Sequence, residues 1–150
     1  MAVKELKKAL AIDPNSSEAI NSLGRILLRS GKPEEALDMF QRAVRVDPLH
    51  AGRSYKDMIK AYRIMGKYEK AVTLFREVSS RLGDYFNIIP DLIACYTALG
   101  MKEEADLLVR EFLAGAPQFS LRKFSRTLAT RNKEEKARFL ELLRKAGLPE

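Results

Sequence analysis

Arg53, Lys56, Lys60 and Arg63 stand three, four and three positions apart. On a helix that spacing places all four on one face. Like charges so arranged cost a helix about 0.2–0.5 kcal/mol per pair, so an acidic ligand or neighbouring acidic surface explains the cluster better than helix stability does. The other face of the same segment carries Tyr55, Met58, Ile59 and Tyr62 and reads as the side turned to a core. Asn21 and Arg25 take the corresponding side of the preceding apolar-periodic segment, and Asn87, Ala94 and Thr97 continue it on the next with smaller groups. Asn21, Arg25, Arg53, Lys56, Lys60, Arg63 and Asn87 are therefore the candidate partner-binding residues. The cations would steer and hold acidic groups while the asparagines donate hydrogen bonds to a ligand backbone.

Catalytic arrangements are hard to assemble from what remains. A nucleophile and its base need convergent groups, and the chain has one histidine, His50, and one cysteine, Cys95. His50 falls in the turn "DPLHAG", where it reads as a solvated side chain, and Cys95 sits between Ala94 and Tyr96 as a small apolar core residue. The pairs Glu34–Glu35 and Glu103–Glu104 suggest acid and base only superficially. Adjacent helical residues do not face one another, and carboxylates in a first helical turn offset the helix dipole. Metal-ligand spacings and phosphate-binding glycine loops do not occur in the sequence. The reading is a non-enzyme with no cofactor and no metal.

The elements that must position the basic cluster come from a repeat. "RSGKPEEALDMFQRAVRVDP", "IMGKYEKAVTLFREVSSRLG" and "ALGMKEEADLLVREFLAGAP" align Gly31 with Gly66 and Gly100, and Ala36 with Ala71 and Ala105, at periods of 35 and 34 residues. Leu23, Met58 and Leu92 recur upstream, followed by Leu27, Tyr62 and Tyr96. Each unit is an apolar-periodic run, a glycine turn and a second run, which predicts a helical hairpin repeated in a stack. Glycine ends the first helix because it accepts positive φ without a side-chain penalty. The alanines let the two helices approach, Phe40 and Phe75 fill the adjoining gap, and Pro48 and Pro117 stop the second helices.

This array resembles the tetratricopeptide repeats, whose recurring Leu-Gly, Ala-x-x-x-Phe and Pro are matched by Leu23–Gly24, Ala36, Phe40, Ala43 and Pro48. The second unit departs from the pattern with Ile59 in the glycine place, one extra residue and Gly83 for proline, and the third has Val109 for the aromatic. The resemblance implies an all-α protein, an α-solenoid in the form of a right-handed superhelix whose first helices line the concave surface. It also implies a protein-binding role. Repeats of this family that clamp the C-terminal carboxylates of chaperones use Lys, Asn and Arg on three first helices. The matching places hold Asn21, Arg25, Asp57, Asn87 and Asp91, which disfavours that ligand.

Ala2, Leu6, Ala9 and Pro14 each precede Ala36, Phe40, Ala43 and Pro48 by 34 residues. Residues 1–14 therefore read as a half repeat, a second helix without its first, and the array is expected to extend upstream in a longer protein. The open end would also allow self-association. Residues 15–117 hold three repeats, and 118–150 read as a capping helical pair, with Ser120 as an N-cap, Asn132 and Glu135 as a capping box, and Gly147 and Pro149 closing the last helix. The "FSL" and terminal "LRKAGLPE" of this segment resemble the closing segment of bacterial proteins in which such repeats follow a class III adenylate cyclase domain. That resemblance implies a regulatory or dimerising tail without cyclase chemistry of its own.

The net charge of +7 is unevenly placed: +4 over 51–84 and +5 over 118–150, against −3 over 85–117. That asymmetry favours an acidic protein or peptide as partner. Nucleic-acid binding is disfavoured, because helical repeats that read RNA use many units, each taking one base. No apolar stretch approaches the roughly 20 residues that span a bilayer, and a lone cysteine forms no internal disulfide. The expected setting is the reducing cytoplasm, with no membrane partner.

Overall fold

The computed structural model describes residues 2–150; Met1, the first residue of the expected half repeat, lies outside them. The described residues form nine α-helices: α1 (Ala2–Ile12), α2 (Ser17–Arg29), α3 (Pro33–Val46), α4 (Gly52–Ile64), α5 (Tyr68–Val78), α6 (Ile89–Ala98), α7 (Lys102–Gly115), α8 (Leu121–Thr127) and α9 (Lys133–Lys145). Short 3₁₀ turns at Pro48–His50, Ser79–Arg81 and Phe86–Ile88 join successive hairpins. Among the described residues there is no β-strand. The chain is an α-solenoid in which α2 pairs with α3, α4 with α5 and α6 with α7, and each hairpin stacks on the next.

The hairpin turns are built alike for one reason. Gly31, Gly66 and Gly100 have φ of 79°, 73° and 72°, the left-handed region that only glycine enters cheaply. That conformation lets the next residue's N–H reach back to the helix: Lys32 to the Leu27 carbonyl at 3.0 Å, Lys67 to Tyr62 at 2.8 Å and Met101 to Tyr96 at 2.9 Å. The last helix ends the same way, with Gly147 at φ 103° and Leu148 N–H on the Leu143 carbonyl.

Packing within the hairpins follows residue size. Ala36, Ala71 and Ala105 are buried. In the first hairpin a side chain at Gly24 would lie 2.6 Å from the Phe40 ring, so glycine is what lets that fully buried ring meet α2. The second hairpin has Ile59 at the equivalent place, fully buried itself. Phe75, the counterpart of Phe40, is half-buried and meets Tyr85 edge-on at 5.3 Å between centroids. Replacing Ala36 or Ala71 with leucine should destabilise the protein by about 1–3 kcal/mol through overpacking. Thermal melts of the two variants test this, and unchanged midpoints would refute the alanine register.

Helix α1 packs on α2. Its Ala9 is exposed, as is Ala2, whereas their equivalents Ala43 and Ala36 are buried. At the other end, α9 departs from a continuing stack. A further first helix would pack against α7, as α4 packs on α3, but α9 packs chiefly on α6. Every residue of α6 from Ile89 to Tyr96 is buried as a result of this enclosure from both sides. Aromatic rings tie the C-terminal unit down: Phe86 stacks on Phe112, Phe112 meets Phe119 edge-on, and Phe119, Phe124 and Phe139 follow at 5.5 and 5.8 Å.

Candidate functional site: a basic face closed at one end

Helices α2, α4 and α6 are the first helices of the hairpins, and their shared face carries the residues singled out by spacing. Asn21 and Arg25 on α2 are directed to α4. Asn21 Nδ2 donates to Asp57 Oδ2 at 2.9 Å, Ser54 Oγ donates to Asn21 Oδ1 at 2.7 Å, and Arg25 Nε donates to the same Asp57 oxygen at 2.9 Å. Asn21 and Asp57 are buried, so this cluster is a satisfied polar link between repeats. Arg25 remains a third exposed and keeps its terminal nitrogens for solvent or ligand.

Arg63 differs most from the expected arrangement. Rather than lying open beside Lys56 and Lys60, its side chain is 8% exposed. Nε donates to Asp91 Oδ1 at 2.7 Å, Nη1 donates to Glu135, and the guanidinium lies 3.6 Å from the Phe139 ring centroid. Burial works against its charge, but Asp91 and Glu135 outweigh that and hold its pKa above the ordinary value. Arg63 is thus the internal counter-ion that joins α4, α6 and α9. Helical spacing gave the direction in which it leaves α4, and the tertiary structure supplies carboxylates there.

The capping signal at Asn132 is corrected in the same place. Asn132 Oδ1 accepts from Glu135 N–H at 3.0 Å, as a cap should. The Glu135 carboxylate does not complete the box; it binds Arg63, and the Asn132 N–H goes to Thr130 Oγ1 instead. Ser120 caps α8, accepting from Lys123 N–H at 3.4 Å.

Three residues of the expected set stay available. Arg53 is exposed and Lys60 half-buried, and among the described residues neither forms an ion pair. Lys56 Nζ donates to the Asp84 carbonyl at 2.8 Å, which positions its charge without neutralising it. Asn87 is exposed in the 3₁₀ turn before α6 rather than on the helix, so it stands apart from Asn21. Beyond it the face is covered: Ala94 is fully buried, and Thr97 Oγ1 is buried with no hydrogen-bond partner among the described residues. The open basic face therefore spans α2 and α4 and ends where α9 crosses α6.

The ion pairs across repeats went unread in the sequence although a signal existed. Asp57 and Asp91 are 34 residues apart, one repeat period, and each takes an arginine from the preceding first helix. Glu135 carried no such signal, being 72 positions from Arg63.

The other chemistry-bearing residues lie elsewhere. His50 is exposed beside Asp47, with Nδ1 3.1 Å from Oδ1. Cys95 is fully buried in α6, where burial and the nearby Asp91 push its thiol up to about 12. Glu34 and Glu35, like Glu103 and Glu104, occupy the first turns of α3 and α7. Among the described residues no helix is long and apolar enough to cross a membrane.

Comparison with known proteins agrees with this geometry. A tetratricopeptide repeat model matches residues 16–84, which cover the first two hairpins. Tetratricopeptide repeat protein 37 of Xenopus laevis is 28% identical over 107 residues, 71% of this chain and 7% of that protein. Superkiller complex protein 3 of Homo sapiens shows the same identity and shares of length. A shorter match, 40% identical over 47 residues, is to small glutamine-rich tetratricopeptide repeat-containing protein 2 of Mycosarcoma maydis, covering 31% of this chain and 13% of that protein. The chain thus spans a small fraction of the length of these relatives. Crystal structures of MamA superpose with a TM-score of 0.67 at 21% identity, one of them covering 96% of this chain and 84% of the other, which shows a shared solenoid fold. Residues 16–84 are thus similar to tetratricopeptide repeats and fold as two stacked helical hairpins, and tetratricopeptide repeat proteins generally mediate contacts between proteins.

Proposed function

We propose that this chain is a protein-interaction module that holds an acidic segment of a partner on the face formed by α2 and α4. The observation that carries this reading is the state of the α4 cations: Arg53, Lys56 and Lys60 meet no carboxylate within ion-pair distance among the described residues, whereas of the cations that serve the fold Arg25 meets one and Arg63 two. A helix that keeps three like charges unneutralised on one face forgoes about 0.2–0.5 kcal/mol per pair, and an acidic ligand recovers it. Each exposed pair with such a ligand contributes about 0.2–1 kcal/mol. Binding is therefore modest, additive and sensitive to salt, with screening acting over about 8 Å at physiological strength. Arg25 contributes through its free terminal nitrogens, and Asn87 contacts the ligand only where the segment runs past α4.

The test is a titration of the protein against acidic, neutral and basic peptide pools at low and physiological salt. Acidic peptides should bind best and weaken as salt rises. Lys56→Glu combined with Lys60→Glu should lower affinity by about tenfold or more, while thermal stability changes by no more than about 1 kcal/mol. Equal binding of neutral peptides, unaffected by the double change, would overturn the reading.

A further inference from the structure

A cavity of about 270 Å³ opens at the closed end of the basic face. Its walls come from two distant parts of the chain. Helices α2 and α4 supply Leu28, Arg29, Lys60 and Ile64, and the connector from α8 to α9 supplies Leu128 and Thr130. Arg25 and Arg63 also reach it, but their charges are met by Asp57 and Glu135, which line the same space. Arg29 and Lys60 form no ion pair among the described residues, so two positive charges remain uncompensated in a lining that also holds the aliphatic Leu28, Ile64 and Leu128. The volume lies below the range of about 300–1,000 Å³ common for small-molecule sites and suits one or two amino-acid side chains.

We propose that this pocket receives an aspartate or glutamate side chain standing next to an aliphatic residue in the bound segment. The carboxylate meets Arg29 and Lys60, and the aliphatic neighbour rests on Leu28, Ile64 and Leu128. This deepens the acidic-segment reading and rests on it. A carboxylate fits better than a phosphate, because the cost of removing a charge from water rises steeply with its magnitude and the pocket already holds two carboxylates. The C-terminal unit then has a second role besides covering α6: it supplies half of the specificity pocket. The repeats supply the charges together with Leu28 and Ile64, and Leu128 from the C-terminal unit completes the aliphatic surface that selects for sequence.

The experiment uses the full chain and fluorescein-labelled synthetic peptides matched in length, differing in whether glutamate is followed by leucine or by serine, or whether phosphoserine replaces the glutamate before leucine. The Glu–Leu peptide should bind at least about tenfold more tightly than Glu–Ser, the gain expected from burying a leucine. Leu128→Ser should lower that ratio by about threefold or more, with Leu28 and Ile64 still covering part of the leucine. Arg29→Gln should weaken both peptides by up to about fivefold. Methyl resonances of Leu128 in the unaltered protein should shift more on adding Glu–Leu than on adding Glu–Ser, which tests the contact even where Leu128→Ser fails to fold. Salt-sensitive binding of both peptides with no preference and no methyl shift would overturn the pocket and leave the acidic-face reading standing. Failure of every acidic peptide to bind would overturn both. Tighter binding of the phosphoserine peptide than of Glu–Leu would overturn the carboxylate assignment.

Discussion

Arg63→Met should destabilise the protein by about 3–5 kcal/mol, the cost of leaving buried carboxylates without their counter-ion. Asp91 and Glu135 are 5% and 4% exposed, and Arg63 is the cation that each of them meets. The loss comes from the stranded charges rather than from the intrinsic worth of the pairs, because attraction in the interior barely exceeds the cost of removing three ions from water. The triple variant Arg63→Met, Asp91→Leu, Glu135→Met should therefore recover to within about 1 kcal/mol of the parent, or exceed it. Guanidinium unfolding midpoints measure both, with an unchanged slope confirming that the native state stays compact. Hydrogen exchange should place the weakening of the single variant in α9 and the start of α6. A single variant within about 1 kcal/mol of the parent would mean that α9 does not rest on Arg63.

Removing residues 118–150 should have the other large effect. Leu121, Phe139, Leu143 and Leu148 are nearly fully buried, and burial of each is worth about 1.5–3 kcal/mol before the entropy of ordering the segment is set against it. Their loss bares α6 and the Phe86–Phe112 stack, an apolar surface in the one hairpin region of net negative charge. The truncated chain should melt about 10 °C lower or more and associate, because terminal units keep solenoids soluble. Light scattering and dye binding read the association. A monodisperse truncation with the parent's melting midpoint would show that the segment is an appendage.

Much of this molecule was legible in short stretches of sequence. The glycines at 31, 66 and 100, the alanines five positions later and the apolar runs around them specify helix, turn and helix through interactions within a few residues or between partners joined by one short turn. Backbone conformation at a turn and the volume of a side chain in a hairpin are local properties, and spacing reports them directly. Which face of α4 is basic was also local, since it depends only on 3.6 residues per turn. What that face meets was not. Among the described residues Lys60 remains unpaired and Arg63, three positions on, becomes the centre of a buried network, because Asp91 and Glu135 arrive from 28 and 72 residues away. The same holds for α9. Its caps and amphipathic pattern announced a helix, but a helix with one apolar face fits either the end of α7 or the side of α6, and side-chain packing around Phe139 and Arg63 decides for α6. The sequence determined the repeating unit and the sign of its charge; the extent of the basic face, and the pocket at its closed end, depend on long-range packing that periodicity does not encode.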